Sequence, residues 1–245
     1  MSRRGALGGA LAVAAGLQAL PLLAFLPPLR PAWPWLVGRG RTDHVALTFD
    51  DGPDTASTPS FIAELERLDV RATFFLLGTM CLRHPDIAPR LRDAGHELAV
   101  HSWDHRNHIR HLPGRQTADQ LARTADLIET QTGVRPELFR PPYGALTGAA
   151  LVAAREQGLR TVLWTAWGKD WEERATPESV ATLVTSQLDG GGTILLHDSD
   201  CTSAPWSWRA TLGALPAIKQ WCESRSLELG PLREHGLVSL PSAVA

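Results

Sequence analysis

The residues able to do chemistry fall in five short islands. They are Thr48-Phe49-Asp50-Asp51-Gly52-Pro53-Asp54, His101-Ser102-Trp103-Asp104-His105, Arg140-Pro141-Pro142-Tyr143-Gly144, Asp170-Trp171 and Leu195-Leu196-His197-Asp198. Pooled, they supply two adjacent carboxylates, a histidine pair four apart, an arginine, a further acid and a last histidine. That is the donor set of a mononuclear metal hydrolase: three ligands, a base, an acid, and groups to aim them.

In a regular strand Asp50 and Asp51 point to opposite faces. Gly52-Pro53 ends the strand at once, so the backbone can turn and bring both acids to one cavity. Two carboxylates there are useful if one binds a metal and the other takes a proton from water. On one helical turn His101 and His105 share a face, a reach suited to a single ion. H-x-x-x-H alone is a weak signal. With a carboxylate it becomes a two-histidine, one-acid set with open positions, for which Zn²⁺ is the expected ion and Co²⁺, Fe²⁺, Mn²⁺ and Ni²⁺ are others it accepts. Arg140 can hold a carboxylate ionised and aimed. Pro141 and Pro142 have no N–H, which makes the backbone of Tyr143 the candidate donor to a developing oxyanion. His197 is the candidate general acid, because imidazole titrates near neutrality. Leu195 is a candidate for the wall of a small apolar pocket, and Asp198 for orienting His197 or capping the next turn.

The elements that position these islands are readable as alternating signals. Strand-like runs occur at Val45–Phe49, Ala72–Leu77, Glu97–Val100, Leu138–Phe139, Thr161–Thr165, Thr193–Leu196 and Ser226–Leu229. Helix-like stretches lie between them at Thr58–Leu68, Pro85–Ala94, Thr117–Thr132, Thr147–Gln157, Pro177–Leu188 and Trp208–Ser224. Leu121, Ala125, Ile128 and Thr132 have amphipathic helical spacing, and Gly95, Gly133 and Gly158 read as helix stops. Strands separated by helices imply parallel pairing with right-handed crossovers, hence an α/β barrel or open sheet. Asp50, His101, Arg140 and His197 then fall at the carboxyl ends of strands, where such barrels build their sites.

The chain has 245 residues, 44% of them hydrophobic, enough for a sizeable core in one domain. A formal charge of −2 argues against nucleic-acid binding. The local basic stretch of Arg106, His108, Arg110, His111 and Arg115 reads as a solvated loop. Cys81, Cys201 and Cys222 lack metal-type spacing and read as buried thiols; a Cys201–Cys222 bridge is open in an oxidising compartment. Gly5 to Leu26 carries no charge and follows Arg3 and Arg4. It is long enough to span a bilayer and lacks a well-placed cleavage pattern, so it predicts an uncleaved N-terminal hydrophobic helix that anchors the chain to a membrane. Pro27 to Arg41 reads as a linker, residues 1–42 as anchor plus linker, and 43–245 as the catalytic domain.

As a set, the islands resemble the motifs of the NodB-homology polysaccharide deacetylases, carbohydrate esterase family 4. The resemblance runs over roughly residues 43–232, through T-F-D-D-G-P, H-[ST]-x-x-H, R-x-P-[YF]-G, the Asp170-Trp171 pair and Leu195–His197. It implies a distorted (β/α) barrel with about seven parallel strands. By motif, Asp51, His101 and His105 bind a divalent metal, Asp50 is the base, Arg140 orients that base with help from Asp170, and His197 is the acid. Tyr143, Leu195 and Trp171 fall to the substrate. The implied reaction is removal of acetyl groups from N-acetylated sugars of a cell-envelope glycan by metal-activated water, in an extracytoplasmic, monomeric catalytic domain. One departure stands out: where many relatives carry an acid three residues before the Asp-Trp pair, this chain has Trp167. The alternatives are an amidase for a non-polymeric or lipid-linked substrate, and a sugar-binding module without catalysis. The full set of polar residues disfavours the second.

Overall fold

A computed structural model describes residues 32–108 and 114–238; the leader and Arg110 and His111 of the basic stretch lie outside the described residues. Eight strands form one sheet: β1 His44–Asp50, β2 Thr73–Leu77, β3 Glu97–Ser102, β4 Leu138–Phe139, β5 Arg160–Thr161, β6 Ala166–Trp167, β7 Thr193–His197 and β8 Glu228–Gly230. Seven run in the order β5-β4-β3-β2-β1-β7-β6, and β8 pairs with the start of β1. Every ladder is parallel. The helices are α1 Thr58–Arg67, α2 Gly78–Arg83, α3 Ile87–Asp93, α4 Arg115–Thr132, α5 Gly148–Glu156, α6 Pro177–Gln187 and α7 Trp208–Glu223. None of these is long and apolar enough to cross a membrane.

The two edge strands are neighbours in sequence. Laid flat, seven strands would hold β5 and β6 about 29 Å apart at ~4.8 Å per strand. Five residue steps from Thr161 to Ala166 span at most about 17 Å, so the sheet must curl until its edges lie within that reach, with no ladder joining β5 to β6. The linking residues stitch both sides of this seam: Val162 N–H donates to Phe139 O (2.9 Å) and Thr165 N–H to Thr193 O (2.9 Å). Of the expected strand Thr161–Thr165 only Thr161 lies in a strand, at the end of β5; the rest is the crossing, and β6 begins beyond it at Ala166. Residue type favours strand throughout that run but does not say which neighbour each half will pair with.

Strand alternation divides the core. Val45, Leu47, Phe49, Phe74, Leu76, Leu98 and Val100 face the helices, whereas Ala46, Phe75, Ala99, Leu138 and Val162 form a smaller inner cluster. The inner parity carries upward to the chemistry. Asp50 follows Ala46 and Thr48, His101 follows Ala99, and Arg140 follows Leu138. Hydrophobic burial on the outer face thus delivers polar residues to the barrel mouth.

Ends of elements follow local chemistry. Thr147 caps α5 through Ala150 N–H, Thr176 and Ser179 make a reciprocal box at α6, and Gly133 ends α4 with φ 71. The segment from Trp33 to Arg41, expected as linker, packs on the domain instead. Leu36 and Val37 are buried, Leu163 N–H donates to Leu36 O and Gly40 N–H to Gly191 O. His235 Nε2 faces Gly38 O and Gly191 O and must donate to them, so its Nδ1 accepts from His44 Nδ1 at 2.8 Å. All three cysteines are free thiols, and Cys201 is exposed rather than buried.

Candidate active site

Asp50 ends β1, and Asp51 follows with φ 78. That left-handed step breaks the strand alternation and turns the Asp51 side chain to the same mouth as Asp50, as the turn at Gly52-Pro53 led us to expect. Gly52 is required because a Cβ there would collide with the Asp198 carboxylate. Asp198 accepts from Thr58 Oγ1. Its expected partnership with His197 is absent from its hydrogen bonds, because it packs behind the turn.

His101 and His105 converge, but not on a helix. His101 belongs to β3, and His105 sits in the following loop at φ 57, with ring centroids 5.2 Å apart. The loop is pinned from α4. Ser102 Oγ donates to Gln120 Oε1 at 2.7 Å, and Thr124 Oγ1 donates to Ser102 O at 3.1 Å. Arg123 stacks on Trp103 at 3.5 Å. His108, expected in a solvated loop, is buried against Phe139 and within 2.9 Å of Ser102 Oγ. It serves the loop's packing, not solvent.

His101 Nδ1 must donate to Arg140 O (2.9 Å), which leaves the Nε2 lone pair facing inward. The Nε2 atoms of His101 and His105 lie 3.4 and 3.2 Å from Asp51 Oδ1, an oxygen that is buried without a hydrogen-bond partner. All three donor atoms lie within 4.8 Å of one another. Burial pushes the His105 pKa down to about 4, so its imidazole is neutral near pH 7. Burial works against ionising Asp51, but the imidazoles of His101, His197 and His105 outweigh it and hold the carboxyl below its usual range. One inward carboxylate oxygen and two inward imidazole nitrogens, all within 4.8 Å of one another, fit a divalent cation.

Arg140 is wholly buried, and four of its five N–H groups are engaged. It donates to Asp50 Oδ1 (2.7 Å), Thr48 Oγ1 (2.7 Å), Val162 O (3.2 Å) and Leu163 O (3.0 Å), and lies 4.0 Å over the Phe75 ring. Asp170, expected to support this arginine, does not touch it. It instead accepts from His197 Nδ1 (3.0 Å), His197 N–H (2.7 Å) and Thr211 Oγ1 (2.7 Å). Burial pulls the His197 pKa down, yet Asp170, with Asp51 and Asp50 further off, pushes it up to about 10. Asp170 is thus the partner of His197, not of Arg140. The β1–β7 register pairs Asp50 with His197, so the two sit one strand spacing apart.

A cavity of about 270 Å³ opens over these groups, walled by Tyr143, Trp171 and Leu195 as the sequence proposed. Trp167, the departure noted above, joins the wall with Trp164; their rings stack at 6.2 Å, and Trp167 meets Trp171 at 5.2 Å. Thr202, which sequence reasoning missed, also lines the cavity and donates to Asp51 Oδ2. A lone threonine in a loop gives no signal that would have found it.

The polysaccharide deacetylase family model matches residues 38–162, half of the chain. The chain belongs to the polysaccharide deacetylase family. Among the deacetylases it resembles is the peptidoglycan-N-acetylglucosamine deacetylase PgdA of Listeria monocytogenes, 35% identical over 165 residues, 66% of this chain and 34% of that one. This deacetylase-family chain thus spans about a third of the length of that relative. A chitooligosaccharide deacetylase of Bradyrhizobium sp. is 30% identical over 201 residues, covering 78% of this chain and 90% of that one. A solved structure from Bacillus anthracis superposes with TM-score 0.72 at 26% identity over 80% of this chain and 67% of that one; it is described as a carbohydrate esterase family 4 pseudoenzyme. Family membership therefore leaves activity to be argued from the residues in place.

Proposed function

We propose that this chain is a metal-dependent N-deacetylase of N-acetylated sugars in a cell-envelope glycan. The observation that carries the reading is the pairing of Asp50 with His197 across one ladder, each with its own fixed partner, Arg140 and Asp170, beside a three-donor metal site. A divalent ion held by Asp51, His101 and His105 would supply Lewis acidity toward the acetyl carbonyl and lower the pKa of a water. Asp50, aimed by Arg140, takes the proton of the attacking water. His197, charged through Asp170, gives a proton to the departing sugar nitrogen. The Arg140–Gly144 turn spends the N–H groups of Arg140 and Gly144 within the fold, and that of Tyr143 serves the developing oxyanion. Leu195 and Trp171 hold the acetyl methyl.

The substrate class draws support from relatives named for peptidoglycan and chitooligosaccharide deacetylation. Placement at a membrane by the leader, with a monomeric domain outside the cytoplasm, is part of the proposal; fractionation of the full chain tests it. The central test is acetate release from chitooligosaccharides and peptidoglycan fragments by metal-free protein given Zn²⁺ or Co²⁺, with Asp50→Asn as control. Metal-dependent release that the control loses supports the reading. Metal binding without acetate from any N-acetyl sugar overturns it.

A further inference from the structure

We infer that a second cavity beside the catalytic one, built around Trp206, is a subsite for a neighbouring hexosamine unit of the same glycan chain. The inference rests on the deacetylase reading. The loop between β7 and α7 serves both cavities: Thr202 and Ser203 line the catalytic one, and Pro205 and Trp206 line the second, of about 370 Å³. The segment after β6 divides in the same way, with Trp171 in the first and Glu172 and Glu173 in the second. Ala204 N–H donates to Trp171 O at 3.1 Å. That backbone contact ties together the two segments that the cavities share, so a glycan chain that leaves the catalytic cavity along them reaches the second in this proposal.

Trp206 is built for display. It is 58% exposed, stands on a backbone with φ 66 that bulky residues avoid, and its N–H is held by the Asp200 carboxylate. The Arg209 guanidinium lies 4.5 Å from its ring centroid and the Trp208 ring 6.4 Å away, which hold the ring in place while more than half of it stays exposed. An apolar plate fringed by the acceptors of Glu172, Glu173 and Thr176 suits a sugar ring, with its C–H face and its equatorial hydroxyls. Arg209 also lines the cavity, but two carboxylates against one guanidinium leave the lining net negative, which disfavours a phosphate or other anion and accommodates the ammonium of a unit already deacetylated.

The test is kcat/KM for acetate release by the metal-loaded full chain from N-acetyl chitooligosaccharides of increasing length. The wild type is expected to gain about tenfold or more from the shortest to longer substrates, through KM. Trp206→Gly removes the ring and suits the left-handed backbone, so it folds; it should lose that gain, and Trp206→Phe should keep most of it. Rates independent of length in the wild type, or a full gain retained in Trp206→Gly, overturn the subsite while leaving the deacetylase reading intact. If no length yields acetate, the deacetylase reading fails instead. Calorimetric binding of the oligomers to wild type and Trp206→Gly then decides the subsite: equal affinities overturn it.

Discussion

Asp170→Asn isolates the acid half of the site. The Asp170 carboxylate takes three hydrogen bonds, two on Oδ2 from His197 N–H and Thr211 and one on Oδ1 from His197 Nδ1. An amide has one acceptor oxygen. If that oxygen keeps the two donors on the Oδ2 side, the NH₂ faces His197 Nδ1 and the imidazole must turn to its other tautomer. A hydrogen bond to a charged group contributes about 1.5–3 kcal/mol, and at 1.36 kcal/mol per unit its loss lowers the His197 pKa by about 1–2 units. The sign follows from the folded state. The pKa stands raised to about 10, so the acid form persists on the alkaline side, and removing its anion brings that limit to lower pH. The stability this pair contributes is present below the ordinary histidine pKa and lost as pH rises through the raised one. The assay is a pH profile of kcat/KM for acetate release with wild type and variant at saturating metal. The alkaline limb should move down by about 1–2 units and the plateau should fall about 10²–10⁴-fold. An unmoved limb with intact folding by circular dichroism would refute the assignment of His197 as acid.

Three further outcomes are expected. Chelation should abolish acetate release and Zn²⁺ or Co²⁺ restore it, while Asp51→Asn weakens metal affinity by more than the roughly 10–100-fold of outer-shell changes; a variant binding metal as tightly as wild type by calorimetry would remove Asp51 from the ligand set. Arg140→Ala leaves the buried Asp50 carboxylate without its cation and should cost about 3–5 kcal/mol in urea titrations, with Arg140→Lys recovering part; a loss under ~1 kcal/mol counts against the pairing. Burial holds His44, His96 and His235 down to about 4 from 6.5. The unfolded chain therefore binds protons first, and stability should be complete above about pH 6.5 and fall toward pH 4. Melting temperatures across that window should lose much of their slope when His44 and His235 are both replaced, and an unchanged slope would discount the pair.

Much of this was legible because strand ends write themselves into sequence. An apolar run closed by a polar island marks the end of a strand, so the sequence alone places Asp50, His101 and His197 at the carboxyl ends of strands. Partner choice was not legible. Asp170 lies about as far in sequence from Arg140 as from His197, and only the register of β7 decides which it meets. The same blindness reads a strand through the crossing between β5 and β6 and puts His101 and His105 on a helical turn, since spacing of four says nothing about a loop bent by a left-handed residue. His108 looked solvated beside arginines because composition cannot see the Ser102 hydroxyl waiting under it. Trp33 to Arg41 looked like linker because proline and glycine mask the two buried residues, Leu36 and Val37, that tie it down.

The seam of the rolled sheet gives Arg140 a second duty. Its Nε and one terminal nitrogen grip Val162 O and Leu163 O on the segment that joins the two edges, while the other grips Asp50. The cation that aims the base is thus also the rivet of a cylinder that hydrogen-bonded ladders leave unclosed. A shift of that joint moves the two carbonyls that Arg140 holds, and with them its grip on Asp50. Heat should therefore dismantle turnover ahead of the bulk secondary structure, and an engineer cannot retune the base here without also resetting how tightly the barrel is clasped.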